Sequence, residues 1–365
     1  MIIQKDCNIG DKTTWHVDVM AQYYVQIHNF DDLQSLIKSP EYLSCDKRYV
    51  IGSGANTLFA SAYYDGIVIE ICTKGFEKIR EDKDYEYWQV NAGEDWTHLV
   101  EWLVLQNNLG GLENLANIPG KVGSSPIQNI AAYGRAFEDV CHEVEIIDLN
   151  TTRSSHYNVS ECQFTYRGSL FKQMLIDTKR GIIVWSVVLK LVKPSKHTIE
   201  AEYFSNYESL QSELQHLGAS KPTIKDIFYA VVALRKKKLP DISQVGSNGS
   251  LFVNPIVSGD KLRSLIQRFP HLQYYPSDKM KYVPTESMQL TTDAMYKVAA
   301  GHIFDEIGWK GKRVGQVGTW QNHALVLCNY GTSDPKDILK VITMMQDDFE
   351  SATGIRLTPE INIVY

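Results

Sequence analysis

The chain has 365 residues, room for two or three compact domains. Its composition, 44% hydrophobic and 22% charged, is that of an ordinary soluble protein able to build sizeable cores. A net charge of −6 with both signs interspersed argues against a nucleic-acid surface, where a basic patch is expected, and still permits a local basic pocket for an anionic metabolite.

Six cysteines, at 7, 45, 72, 141, 162 and 328, form no C-x-x-C pair, and several lie in apolar runs. They read as reduced core thiols rather than a disulfide frame or a zinc site, and no metal is expected. The N-terminal stretch lacks a basic segment followed by an apolar one, so no signal peptide is expected. No apolar run approaches the ~18 residues of a membrane span. A cytoplasmic protein follows as the expectation.

In chain order, Tyr49-Val50-Ile51 reads as a strand ending at the sharp turn Gly52-Ser53-Gly54-Ala55-Asn56. Gly66–Ile71 and Tyr87–Val90 are further strands. Gly93-Glu94-Asp95 introduces a helix with Trp96, Leu99, Val100, Leu103 and Val104 on one face, stopped by Asn107-Asn108 and Gly110-Gly111. Residues 112–134 are polar and turn-rich, the mark of a functional loop system. Strands follow at Val144–Asp148 and Ile182–Leu191. Residues 194–221 form a polar stretch, either a linker or an inserted lobe. Thr223, with Asp226 three residues on, caps a helix burying Ile224, Ile227, Phe228 and Val231. It ends in the basic run Arg235 to Lys238. Helices are expected over 293–307 and 335–350, strands over Ala324–Cys328 and Ile355–Val364.

Two segments could hold a phosphate-bearing ligand. The 52–56 turn lets backbone N–H groups approach a phosphate, and Asn56 adds a side-chain donor. Most Gly-rich turns, however, are only turns. The 119–134 loop offers Pro119, Gly120, Gly123, Ser124, Ser125, Gln128, Asn129, Tyr133 and Gly134. Such a segment can wrap a polar ring and a pyrophosphate, and Pro119 and Pro126 stiffen it. Neither segment matches the dinucleotide fingerprint of a Rossmann fold.

The string ENLANIPGKVGSSPIQNIAAYG resembles the flavin-binding signature of the UDP-N-acetylenolpyruvoylglucosamine reductases, and IGSGANTLF resembles their pyrophosphate turn. ECQFTYRGSLFK, RKKKLPD, GSNGSLFVNP, KVAAGHIFDEIGWKG and RLTPEINIV follow in the family's order, so the resemblance spans essentially the whole chain. It implies an α+β protein with a vanillyl-alcohol-oxidase-type FAD-binding fold. Two lobes would occupy 1–200, split near 75, with an inserted flap or linker over 201–221 and a C-terminal substrate-binding domain over 222–365. The implied activity reduces an enolpyruvyl ether on UDP-N-acetylglucosamine to UDP-N-acetylmuramate, a step of peptidoglycan precursor synthesis. FAD is the implied cofactor and NADPH the reductant. The expected partners are these small molecules, with no nucleic acid and no membrane, in a monomer.

The resemblance also implies roles, each of which the chemistry can be asked to justify. Arg167 would stabilise charge developing toward the substrate carboxylate, for which its planar fork is suited. Ser250, reached through Gly246-Ser247-Asn248-Gly249, would supply the proton. Glu360 would polarise the carboxylate or orient Ser250, and alternation along Ile355, Leu357, Ile361 and Ile363 puts it on the opposite face of a strand. Cofactor binding falls to Gly52, Ser53, Gly54, Ala55, Asn56 and the 119–134 residues named above. Tyr166, Tyr207, Lys238 and Asn254 would hold the substrate, Tyr207 on a mobile flap. Taken singly, these residues read more blandly: a surface arginine pairing with Glu161, a turn serine, a solvated glutamate. Ala55, Ala131, Val253 and His323 depart from the usual family residues, with consequences for binding rather than for the reaction class. The rivals are a flavin oxidase of the same fold and a UDP-sugar-binding paralogue without activity.

Overall fold

A computed structural model describes residues 1–176, 181–197, 208–277 and 290–365. The chain divides into two units, each assembled from separated stretches. Unit 1 takes Met1–Cys7, Ala21–Ser53 and Asp65–Leu234, and unit 2 takes Asn8–Met20, Gly54–Tyr64 and Arg235–Tyr365.

In unit 1, Ile182–Val192 is an almost unbroken β-branched and apolar run. Such a run suits a strand covered on both faces. It is the middle strand of a five-stranded antiparallel sheet, ordered Ser154–Asn158, Cys141–Asp148, Ile182–Val192, Tyr85–Asn91, Phe76–Glu81. Against it packs the helix Trp96–Glu101, whose Asp95 cap accepts the His98 N–H at 2.8 Å. The helix continues as a one-turn π segment, Trp102–Gln106, and the chain leaves it through Asn108 at φ +54. Trp96, Leu99, Val100, Leu103 and Val104 are buried, as their spacing predicts. A second sheet, lying mainly in this unit, is ordered Ile3–Asn8, Met20–Ile27, Tyr63–Ile71, Arg48–Ile51. Its last pair is parallel and sets Ile51 opposite Glu70. The Ile224–Lys238 helix starts at the predicted capping box: Thr223 N–H reaches Asp226 Oδ2 at 2.7 Å, and Asp226 N–H reaches Thr223 Oγ1 at 3.3 Å.

Unit 2 holds a four-stranded sheet ordered Gly246–Ser250, His323–Asn329, Val317–Trp320, Arg313–Val314. The helix Pro335–Thr353 buries Ile338, Val341, Ile342, Met345 and Phe349 along one stripe, starting at Asp334 and ending at Gly354. The last strand, Asn362–Val364, pairs in parallel with Thr57–Phe59.

Two expectations are corrected. Residues 293–307 are not one helix, because Met295–Val298 is a strand between Ile256–Ser258 and Tyr274–Pro276, and the helix is only Ala300–Glu306. Tyr296 and Val298 alternate inward there, a period of two that a helix pattern had absorbed. Residues 355–364 are not one strand either, because only Asn362–Val364 is extended into a ladder. Pro359 has no N–H to give and makes only an isolated bridge to Phe252. All six cysteines are free thiols. Among the described residues no helix is long and apolar enough to cross a membrane.

Candidate active site

The 112–134 loop of unit 1 is held from below and strained above. Trp96 N–H donates to Gly120 O at 3.0 Å, Val122 N–H to Glu94 O at 2.9 Å and Gly123 N–H to Ala92 O at 2.8 Å. A Cβ on Gly123 would stand 2.6 Å from that of Ala92, so only glycine permits this approach. Asn129 is fully buried: its Nδ2 donates to Thr165 O at 3.3 Å and its Oδ1 accepts the Glu138 N–H at 3.0 Å. Asn129 and Tyr133 both lie at φ +46, a conformation that suits asparagine but that a tyrosine adopts only where the surroundings impose it. The Tyr133 carbonyl is fixed by Asn114 Nδ2 at 3.0 Å. Ser125 is buried as well, whereas Pro119 and Ser124 are exposed and Gly120, Gly123, Gln128, Tyr133 and Gly134 are half-exposed. Asn129 and Ser125 therefore support the loop, and its exposed main chain and its polar side chains are what a ligand would meet. A strained, close-packed backbone that leaves Ser124 exposed and Gly120, Gln128 and Tyr133 half-exposed fits the pyrophosphate and ring of a flavin dinucleotide. The 52–56 turn is divided: Gly52 and Ser53 belong to unit 1, and Gly54, Ala55 and Asn56 to unit 2.

Arg167 stands on a two-residue hairpin of unit 1, closed by Thr165 N–H to Gly168 O at 3.0 Å and Gly168 N–H to Thr165 O at 3.1 Å. Arg167 lies at φ +55 in the third position of this turn, where glycine or asparagine is usual. A bulky residue persists in that conformation only where the surrounding structure over-determines it. Its guanidinium centre is 5.5 Å from the Tyr166 ring centroid. Lys172 braces the hairpin from beneath, its Nζ 3.0 Å from Arg167 O and 3.3 Å from Gln128 Oε1.

In unit 2, Ser250 ends the Gly246–Ser250 strand just after a register shift between Ser247 and Ser250. Gly249 at φ +78 makes that bulge possible, and the bulge re-aims the next side chain. Ser247 Oγ donates to Leu327 O at 2.8 Å and Thr14 Oγ1 to Ser247 O at 2.6 Å, fixing the base of the bulge. Ser250 is half-buried, and its hydroxyl has no hydrogen-bond partner among the described residues. Glu360 is brought beside it. The Glu360 N–H donates to Leu251 O at 2.7 Å, and Asn56 Nδ2 donates to Glu360 O at 3.2 Å. One amide hydrogen of Asn56 is thus directed to the chain at Glu360.

Lys238 ends the Ile224–Lys238 helix and has no hydrogen-bond or ion-pair partner among the described residues. Although the residue is exposed as a whole, burial around its ammonium pushes its pKa below the usual lysine value. His323 is its electrostatic neighbour. Burial first, then the Lys238 and Lys310 charges, push its pKa below the ordinary 6.5, with Asp305 opposing. Leu325 N–H donates to its Nδ1 at 3.2 Å. Asn254 Oδ1 accepts the Ala300 N–H at 3.0 Å. Tyr207 lies outside the described residues. Arg167 belongs to one unit, and Ser250, Glu360, Lys238 and Asn254 to the other.

The sequence reading missed Lys121, which sits between Gly120 and Val122 and looks there like a surface loop charge. The available signal was Glu70, the one acid in the apolar run Gly66–Ile71 and so in need of a partner. Lys121 supplies it, Nζ to Oε1 at 2.6 Å, with only 15% and 12% of the two side chains exposed.

Comparison with known proteins gives this geometry its context. Residues 21–153 match a family described as an FAD-binding domain, and residues 241–364 match the C-terminal domain of UDP-N-acetylenolpyruvoylglucosamine reductase. The chain is 34% identical over 364 residues to the UDP-N-acetylenolpyruvoylglucosamine reductase of Flavobacterium johnsoniae, covering 100% of both. It is 35% identical to that of Vibrio cholerae, covering 100% of this chain and 95% of the other. The crystal structure of the reductase from Thermus caldophilus matches its fold over 100% of both chains, with a TM-score of 0.64 at 22% identity. The α+β class expected above, an FAD-binding domain followed by a C-terminal domain, is the one found. With identity of this level sustained from end to end and both domain signatures in order, the chain belongs to the UDP-N-acetylenolpyruvoylglucosamine reductase family.

Proposed function

We infer that this protein reduces the enolpyruvyl ether of UDP-N-acetylglucosamine to UDP-N-acetylmuramate, using FAD and NADPH, and that Arg167, Ser250 and Glu360 carry the chain's share of the chemistry. Bound FAD would supply the two-electron chemistry that links NADPH oxidation to hydride addition at one carbon of the double bond. The Arg167 guanidinium holds the substrate carboxylate and stabilises the negative charge that moves toward it as the double bond is consumed. The Ser250 hydroxyl gives its proton to the adjacent carbon and is reprotonated from solvent. One NADPH and one proton are consumed per ether reduced. Glu360, joined to the Ser250 strand through Leu251, fixes the approach of that hydroxyl. Lys238, with Asn254 and Tyr207, binds the diphosphate and sugar portion. Gly52 to Asn56 and the 119–134 loop bind FAD.

The observation that carries the assignment of Ser250 is its hydroxyl, which has no partner among the described residues although the next residue, Leu251, is hydrogen-bonded through its main chain to Leu325 and Glu360. A serine kept only for a turn would spend that hydroxyl on the nearby backbone. The protein would act as a monomer in the cytoplasm, where nucleotide sugars and NADPH are available, and light scattering on the purified protein tests the first part. The activity is tested directly: purified protein should be yellow and should oxidise NADPH in proportion to added enolpyruvyl UDP-sugar. Colourless protein after FAD addition, or NADPH oxidation indifferent to that substrate, would reject the reading. Arg167→Ala should leave flavin reduction intact and slow substrate reduction, and unchanged turnover would remove Arg167 from the mechanism.

A further inference from the structure

Three groups of unit 1 meet around the Lys121 ammonium, and two more hold its carboxylate partner. Its Nζ lies 2.6 Å from Glu70 Oε1, 2.7 Å from the Ile71 carbonyl oxygen and 3.5 Å from Cys72 Sγ. Glu70 Oε2, on the other side, accepts from the Tyr24 hydroxyl and from Gln26 Nε2, the latter at 3.1 Å. Lys121 is therefore saturated by the protein and has no donor left for a ligand.

Its position explains why a loop lysine is spent this way. Glu70 pairs in register with Ile51, the residue before Gly52. A Cβ on Gly52 would lie 3.6 Å from the Lys121 Cβ, so the lysine stem passes directly over the start of the 52–56 turn. The Lys121 main chain makes an isolated bridge to Asp95, and its carbonyl accepts the Ser124 N–H at 3.0 Å and the Ser124 hydroxyl at 2.7 Å. One residue thus joins the turn after Arg48–Ile51 to the first half of the 119–134 loop. Burial alone would raise the Glu70 pKa, but hydrogen bonds from Lys121 and Tyr24 outweigh it and bring it down to about 2, so the carboxylate stays ionised at neutral pH.

We propose that Lys121 is a positioning residue for the FAD site: its buried ion pair with Glu70 fixes the separation between the Gly52–Ser53 turn and the Gly120–Ser125 segment. A dinucleotide spanning both segments binds well only if the two are already at the right separation, because moving them on binding subtracts from affinity. The inference rests on the reading that these two segments hold FAD.

The full chain, stripped of FAD and titrated with it, provides the test. Lys121→Met alone strands a buried carboxylate and destabilises the protein whatever Lys121 does for FAD. The informative variant combines Lys121→Met with Glu70→Gln, which removes both charges. It should unfold near the wild-type temperature without FAD, yet bind FAD at least ~10-fold more weakly by flavin fluorescence. A double variant that binds FAD within about threefold of the wild type (~0.7 kcal/mol) overturns the proposal and leaves an ion pair that only fills the core. If that variant does not fold, Lys121→Gln with Glu70→Gln, in which two amides keep a hydrogen bond, is judged by the same criterion. Hydrogen exchange on the wild type, with and without FAD, separates this from the reading it rests on. FAD that protects neither 52–56 nor 119–134 would defeat that reading itself.

Discussion

Lys121 in unit 1 is held by three acceptors, whereas Lys238 in unit 2 has no hydrogen-bond or ion-pair partner among the described residues. The same contrast runs through the regions around them. The 112–134 loop commits its polar groups to the surrounding protein: Asn129 to Thr165 and Glu138, Asn114 to Tyr133, Lys121 to Glu70. The region around Ser250 is fixed through its main chain, while the Ser250 hydroxyl and the Lys238 ammonium have no partner among the described residues. A cofactor that stays bound is served by a rigid, internally satisfied frame. A substrate that comes and goes needs groups whose partners it brings itself.

Ser250→Ala is the strongest way to break that contrast. If the unengaged hydroxyl is the proton donor, the variant should reduce bound flavin with NADPH at nearly the wild-type rate while substrate reduction falls by roughly 10²–10⁴-fold in stopped-flow traces. Equal slowing of both half-reactions would mean that the hydroxyl supports the site as a whole, and the contrast with unit 1 would disappear. Lys238→Met should come next in size. Losing a charge-assisted contact to a diphosphate costs about 1.5–3 kcal/mol, an increase of ~10–100-fold in the KM for the UDP-sugar with FAD affinity unchanged. Unaltered KM would show that Lys238 is a solvated helix-end lysine.

Gly123→Ala tests the other side. The added Cβ would meet that of Ala92 at 2.6 Å, and overpacking of this kind costs about 1–3 kcal/mol. The loss should appear in FAD titration and in thermal unfolding together, with KM for the UDP-sugar nearly constant in whatever fraction retains flavin. A variant that lost substrate affinity and kept FAD would place this loop with the substrate instead.

How much of this the sequence could disclose follows the same division. Local features were readable: the Thr223–Asp226 capping box, the one-sided helix from Trp96, the apolar strand Ile182–Val192. The unit boundaries were not, because Asn8–Met20 and Gly54–Tyr64 leave their sequence neighbours to join unit 2, a choice made by long-range pairing such as Asn362–Val364 on Thr57–Phe59. The expected 293–307 helix failed for a related reason: Met295–Val298 has a place between two strands that no local pattern announces. Ser250, Arg167 and Lys238 could be singled out through ordered motifs, but whether a charged group is already satisfied is a property of its neighbours in space. Lys121 and Lys238 look equally exposed in the sequence.

His323 is where the smallest effect is expected. Burial and the charges of Lys238 and Lys310 hold its pKa below 6.5, and only Asp305 opposes them. The Leu325 N–H directed at Nδ1 adds a geometric reason, because a proton there would face another N–H. The ring is therefore neutral at physiological pH, with its hydrogen on Nε2. A depressed imidazole pKa contributes stability that is complete above the ordinary value of 6.5 and is lost as pH falls below it toward the folded-state value. His323→Gln, which cannot take up a proton, should match the wild type in stability at pH 7.5 within about 1 kcal/mol and lose less between pH 6.5 and 5. Imidazole nitrogen shifts in the wild type should show the Nε2–H form throughout the neutral range. A half-protonated His323 near pH 7 would mean that Lys238 is not its neighbour in solution, and the desolvated, unpaired lysine on which the comparison began would have to be placed elsewhere.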